Sequence, residues 1–248
     1  MRTTILLLLI VVSCNSVSQF VSDDDKTDMI HYDHVGDIPV PDGFMRVEGV
    51  DSFAVWLRSV KLKKDRTVHL YNGELKRNQQ AQFAVLDIPV GKKDLQQCAD
   101  AVMRLRAEYL FSMRRYDEIR FEDNEGKRYQ WTQGADKSSF ENYLEQVFSW
   151  CGTLSLERSL HKIAMNDIQP GDVFIKGGSP GHAMIVVDVV QNEKGDKKFM
   201  LAQSYMPAQD IHIVRNPEKY NDPWYELNDD ANIITPEWTF HSGQLRRW

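Results

Sequence analysis

The stretch DVFIKGGSPGHAMIVVDVV, residues 172–190, decides how this chain is read. Gly177 to Gly181 spells G-x-S-x-G, the pattern of a serine hydrolase elbow. An elbow, however, passes from a strand through a sharp turn into a helix, whose N-terminus helps to build an oxyanion hole. Here the turn runs into HAMIVVDVV, an almost continuous set of β-branched and apolar residues, which specifies a buried strand. Pro180 and three glycines account for the pattern as a reverse turn. Ser179 is therefore expected to be a turn residue. What the turn delivers is His182, at the mouth of a strand.

Pairing that strand with the next through the turn QNEKGD extends the reading. If Val190 lies opposite Lys197, Met184 faces Gln203 and His182 faces Tyr205. Gln203 then shares a face with His182 as a diagonal neighbour, about 7–8 Å away between Cα atoms and within reach of a long side chain. A one-residue bulge would break this register. A polar pair at a strand end can simply satisfy local hydrogen bonds. A histidine with a fixed partner can equally be half of a nucleophile-activating arrangement. The other half needs a thiol or hydroxyl, best placed where helix N–H groups stabilise a thiolate. Cys98 in QQCADAV, near the start of the longest helical pattern, is the candidate.

Around these residues the chain reads as helices followed by strands. Residues 52–60 and 139–152 are predicted as helices, and 92–116 as the longest one, with Leu95, Cys98, Val102, Leu105 and Tyr109 on one face. Residues 67–73 and 81–90 are expected as strands, and 118–131 as a hairpin turning at Asn124–Gly126. Strands are then expected at 173–176, 183–190, 198–205, 211–214 and 237–240. That order specifies an α+β fold, with N-terminal helices packed on an antiparallel sheet, rather than alternating α/β.

The 248 residues open with MRTTILLLLIVVSC. A basic residue followed by a short apolar run reads as a signal peptide over 1–13, too short to span a bilayer. A small residue before Cys14 also resembles a lipoprotein processing site, with Cys14 as the lipidated first residue. Residues 14–43 are polar, acidic and proline-punctuated, as in a flexible tether. Residues 44–248 form a single expected domain. The net charge of −6 is spread without a basic stripe, so nucleic acid is not an expected partner. His31, His34, Asp33 and Asp37 read as a solvated patch. Asp188, Asp210, His212 and His182 show no recognised ligand spacing, and no metal or cofactor is expected.

The block QPGDVFI…GHAMIVVDV, with Gln97-Cys98 before it and Gln203 in FMLAQSY after it, resembles the cysteine- and histidine-dependent amidohydrolase/peptidase (CHAP) group and its NlpC-type relatives. The resemblance covers residues 97 to 205, with 117–167 unaccounted for. It implies a papain-like fold, with Cys98 as nucleophile, His182 as base and Gln203 as the residue orienting the ring. That group usually carries Glu, Asp, Asn or His at the third position. Over its full length the chain also resembles an uncharacterised bacterial lipoprotein family, domain of unknown function 4846, through QCADAVMRLRAEYL, GSPGHAMIVVDV and AQSYMPAQDIHIV.

The expected protein is thus a monomeric, lipid-anchored envelope amidase or peptidase, exported to the periplasm or cell surface and cutting an amide, in the first instance of a cell-wall peptide. It would touch the membrane through its N-terminal lipid alone. Arg104, Tyr205 and Trp224 are candidate substrate contacts. Asp100, Arg104 and Glu108 also fit an ion-pair ladder on a solvated helix face, and the two aromatics also fit core packing. Cys98 is open to three readings: a nucleophile, a buried thiol, or a disulfide with Cys151. The competing class is a non-catalytic binding or scaffolding lipoprotein.

Overall fold

The computed structural model describes residues 31–47, 51–219, 221–227 and 232–248. The signal-peptide segment and Cys14 lie outside the described residues.

Among the described residues, four α-helices and thirteen strands follow in chain order: β1 (Phe44–Arg46), α1 (Ser52–Ser59), β2 (Gln82–Val85), α2 (Cys98–Ser112), β3 (Arg120–Glu122), β4 (Arg128–Gln130), α3 (Lys137–Trp150), α4 (Thr153–Ser159), β5 (His161–Lys162), β6 (Val173–Lys176), β7 (His182–Asn192), β8 (Lys197–Gln203), β9 (His212–Val214), β10 (Tyr225–Glu226), β11 (Asn232–Ile234), β12 (Thr239–His241) and β13 (Leu245–Arg247). The main sheet runs β2-β9-β8-β7-β6-β13-β5. Every pairing in it is antiparallel, with β1 added beside the far end of β7 and β10 beside β8. β11–β12 and β3–β4 are separate hairpins.

β7 reads as an uninterrupted apolar run because both of its faces are covered. Ala183, Ile185 and Val187 pack with Phe53 and Leu57 of α1 and with Val102 and Leu105 of α2. Met184, Val186 and Val189 face the other way, into a second cluster with Phe174, Phe199, Leu201, Ile233 and Phe240. Between Val186 and Asp188 the register shifts by one residue, a β-bulge at Val187. Asp188 then reaches the helical layer and accepts from Arg46 Nε (2.8 Å) and Arg58 Nε (2.7 Å).

Several boundaries differ from expectation. The compact unit begins at Tyr32, not at residue 44. Val35 and Ile38 are buried, and Pro39 O accepts from the Trp224 indole (2.9 Å). Residues 32–43 thus pack on the domain, because their few apolar side chains are the ones that bury. α2 starts at Cys98 rather than near residue 92, because the Asp100 carboxylate accepts the Gln97 N–H (3.0 Å) and closes the first turn there. Residues 67–73 form a tight loop held by isolated bridges, His69 to Leu75 and Leu70 to Gln209, in place of a strand. α4 was not anticipated. α1 and α3 are capped by Asp51 and Asp136, whose carboxylates accept the N–H groups of Ala54 and Ser138.

Candidate active site

The turn 177–181 leads into a strand, β7, and not into a helix, so no serine elbow exists. Gly181 is required by space. A Cβ there would lie 2.5 Å from Thr153 Oγ1 and 2.8 Å from the Lys176 carbonyl. The tight turn brings His182 to the end of the sheet.

His182 Nε2 lies 2.8 Å from Gln203 Oε1. An amide oxygen only accepts, so Nε2 carries the proton and Nδ1 the lone pair. The amide orientation is itself determined. Gln203 Nε2 donates to Glu237 Oε2 (2.8 Å) and to His212 Nε2 (3.2 Å). His212 accepts there because its Nδ1–H is committed to the Asp210 carbonyl (2.9 Å). Lys76 closes the set, donating to Glu237 Oε2 (2.6 Å) and to His212 Nε2 (3.3 Å). His182, Gln203, His212 and Lys76 are all buried. The chain of partners fixes one tautomer of His182, with Nδ1 making no hydrogen bond among the described residues. The ring packs on Tyr205, Trp238 and Phe240, with centroids 4.8, 5.2 and 5.8 Å away. Burial lowers the imidazole pKa to about 4, against the Gln203 hydrogen bond that raises it.

Cys98 is the first residue of α2 and its thiol is free. The segment before it is stitched to the loop after β8. Ser204 Oγ donates to Gln96 O (2.7 Å), and Ala208 N–H donates to Asp94 Oδ1 (2.7 Å). These bonds bring the helix start beside the end of β8, where Gln203 sits. Burial pushes the thiol up to about 11, opposed by the Ala183 N–H and the helix N–H groups of Cys98 and Ala99 that favour the thiolate. Cys151 is also free and buried, so no disulfide joins the two cysteines.

Cys98, His182, Tyr205, Cys151, Ser179 and Trp238 line one cleft of about 430 Å³. No hydrogen bond joins the Cys98 sulfur to His182. The sulfur comes from the helical layer and meets Ala183 N–H, while the ring rests on the β12 side. The two meet only at the cleft, both in the neutral form.

Two expected substrate contacts lie elsewhere. Arg104 is buried at 3 % exposure and donates to Gln96 Oε1 (2.9 Å) and Glu141 Oε1 (2.7 Å). The Arg104–Glu108 pair of the expected ladder forms (3.5 Å), but on a face that α3 covers rather than a solvated one, and Arg104 clamps the segment leading to Cys98. Trp224 is a core residue, its indole bound to Pro39 O. Asp188 and Asp210, considered as ligands, face the chain's own cations, Arg46 with Arg58 and Lys63. Glu237 and Lys76 went unnoticed in the sequence. Neither belongs to a motif, and only tertiary folding brings them to Gln203.

Fold and site together define a protein of helices and a large antiparallel sheet, with a cleft carrying a helix-start thiol and an oriented histidine. The chain belongs to the family described as domain of unknown function (4846), whose model matches residues 36–136 and 130–247. No curated protein and no solved structure matches it.

Proposed function

We propose that this protein is a papain-like cysteine amidase or peptidase of the bacterial envelope, exported by residues 1–13, anchored by lipid on Cys14 and acting on an amide of a cell-wall peptide. The observation carrying the chemistry is an imidazole with Nε2 tied to Gln203 and Nδ1 left unbonded, in the same cleft as a thiol at a helix start. The Cys98 sulfur leaves the Ala183 N–H and attacks the carbonyl carbon as its proton passes to His182 Nδ1. The Cys98 N–H helps to hold the oxyanion. As the C–N bond breaks, His182 returns the proton to the amine. Water then hydrolyses the thioester with His182 again as base. Because both groups rest neutral, proton transfer accompanies attack.

The test is the pH dependence of Cys98 alkylation by iodoacetamide, read by peptide mapping. Base assistance gives a rate nearly flat between about pH 5 and 8, and His182→Ala lowers it about tenfold at pH 7 and restores a steady climb with pH. Wild type and His182→Ala climbing together, as an unassisted thiol does, would sink the proposal. That outcome supports a second reading, a non-catalytic binding cleft, which the missing sulfur–imidazole hydrogen bond favours.

A further inference from the structure

A second cavity, of about 400 Å³, shares no lining residue with the cleft. Arg106 projects into it from α2. Its guanidinium carbon stands 5.1 Å from the centroid of Phe53, 5.4 Å from Tyr109 and 5.3 Å from Trp248. Three aromatic rings hold the group by cation–π attraction, yet none of them is an anion. Arg106 makes no hydrogen bond or ion pair among the described residues. Burial lowers its pKa.

The acids lining the cavity are already engaged. Arg115 holds Glu118 in a bidentate pair, with both bonds at 2.6 Å. Arg128 holds Glu122 Oε1, at 3.0 and 2.9 Å. Arg120, on β3 beside them, has no hydrogen bond or ion pair among the described residues either. Two guanidinium groups without a direct ion-pair partner therefore line one cavity, and Glu118, committed to Arg115, acts on both only at longer range. The indole Nε1 of Trp248, on the same wall, is a buried donor without a partner.

A half-buried guanidinium costs desolvation energy that only an anion offsets well, and its planar fork matches carboxylate and phosphate oxygens. We propose that this cavity is an oxyanion site that takes a phosphate or carboxylate group of a small ligand. Arg106 supplies the oriented fork, and Arg120 the second positive charge. The site stands apart from the thiol chemistry and does not depend on it.

The experiment is calorimetric titration of the full chain with inorganic phosphate and, separately, with acetate, at ionic strength fixed by sodium chloride. Saturable binding of either is expected. Arg106→Gln abolishes it, and Arg120→Gln, at an exposed position that the fold does not need, weakens it about tenfold. Phosphate binding alone identifies a phosphoryl ligand, and acetate binding alone a carboxylate. Absence of saturable binding of either anion to the wild type, or binding unchanged in both variants, overturns the proposal.

Discussion

Gln203 is a neutral amide for a reason that its neighbours supply. It has to accept from His182 on one side and donate to Glu237 on the other. A carboxylate could do the first but would face a second carboxylate in a buried setting. Gln203→Glu should therefore lose about 3 kcal/mol of stability in urea unfolding, and the swapped pair Gln203→Glu with Glu237→Gln should regain most of it. An unaffected single variant would show that the network does not carry this load. The His182–Gln203 half of the site was readable from strand alternation. Lys76 and Glu237 were not, because Glu237 lies 34 residues from Gln203, and Lys76 lies 136 residues from His212 and 161 from Glu237, and no spacing rule reaches that far. Arg104 was misread for a related reason. The spacing of Asp100, Arg104 and Glu108 is the same whether that face meets water or α3.

At the level of elements, the turn before β7 tolerates little. A methyl at Gly181 would overlap Thr153 and two backbone carbonyls, whereas one at Gly178 meets open space and suffers only from its positive φ of 101°. Gly181→Ala is expected to cost about 2 kcal/mol and to slow Cys98 alkylation by displacing His182, while Gly178→Ala costs about 1 kcal/mol and leaves alkylation unchanged. Unfolding curves and alkylation rates of the two variants together check this. Asp188 joins three elements, because Arg46 of β1 and Arg58 of α1 both close on its carboxylate inside the sheet. Asp188→Asn leaves two guanidiniums facing a neutral amide and should cost about 3 kcal/mol, measured by chemical unfolding. A loss under half that size would mean that solvent replaces the carboxylate easily. The strands of this region were legible because long apolar runs bounded by turns are a strong signal. The two- and three-residue strands β5, β10 and β13 carry no such signal and exist only because longer neighbours offer an edge.

For the whole molecule, two histidines buried in the neutral form set the response to acid. Burial holds His182 at about 4 and His212 at about 3. Their ordinary value is about 6.5, so between these limits the unfolded chain binds more protons. Stability from these groups is complete above about pH 6.5 and is lost as pH falls toward their folded values. The buried Asp100, with its pKa raised well above the usual carboxylate range, acts in the opposite sense, so a variant is needed to isolate one group. The stability difference between wild type and His182→Gln should shrink by on the order of 2 kcal/mol from pH 7.5 to pH 4.5. A difference constant with pH would mean that His182 binds its proton as readily in the folded as in the unfolded chain, and would overturn the effect of burial. The helical and strand patterns of the sequence were enough to anticipate helices and a large antiparallel sheet. The packing of residues 32–43 was not, because their composition resembles a tether and only the position of Val35 and Ile38 reveals the docking.

The bulge at Val187 gives the site a dependence on counting. At the turn end of the β7–β8 hairpin Val190 pairs with Lys198, one residue away from the expected Lys197. Beyond the bulge Ile185 pairs with Ala202, which is the expected alignment. Two single-residue departures cancel, and the histidine keeps its partner. The meeting of His182 and Gln203 is therefore encoded partly as a sum over the intervening residues, independent of what those residues are. A relative whose hairpin is shorter by one residue on one strand can preserve this pair only by losing the bulge as well, and with it the route by which Asp188 reaches α1.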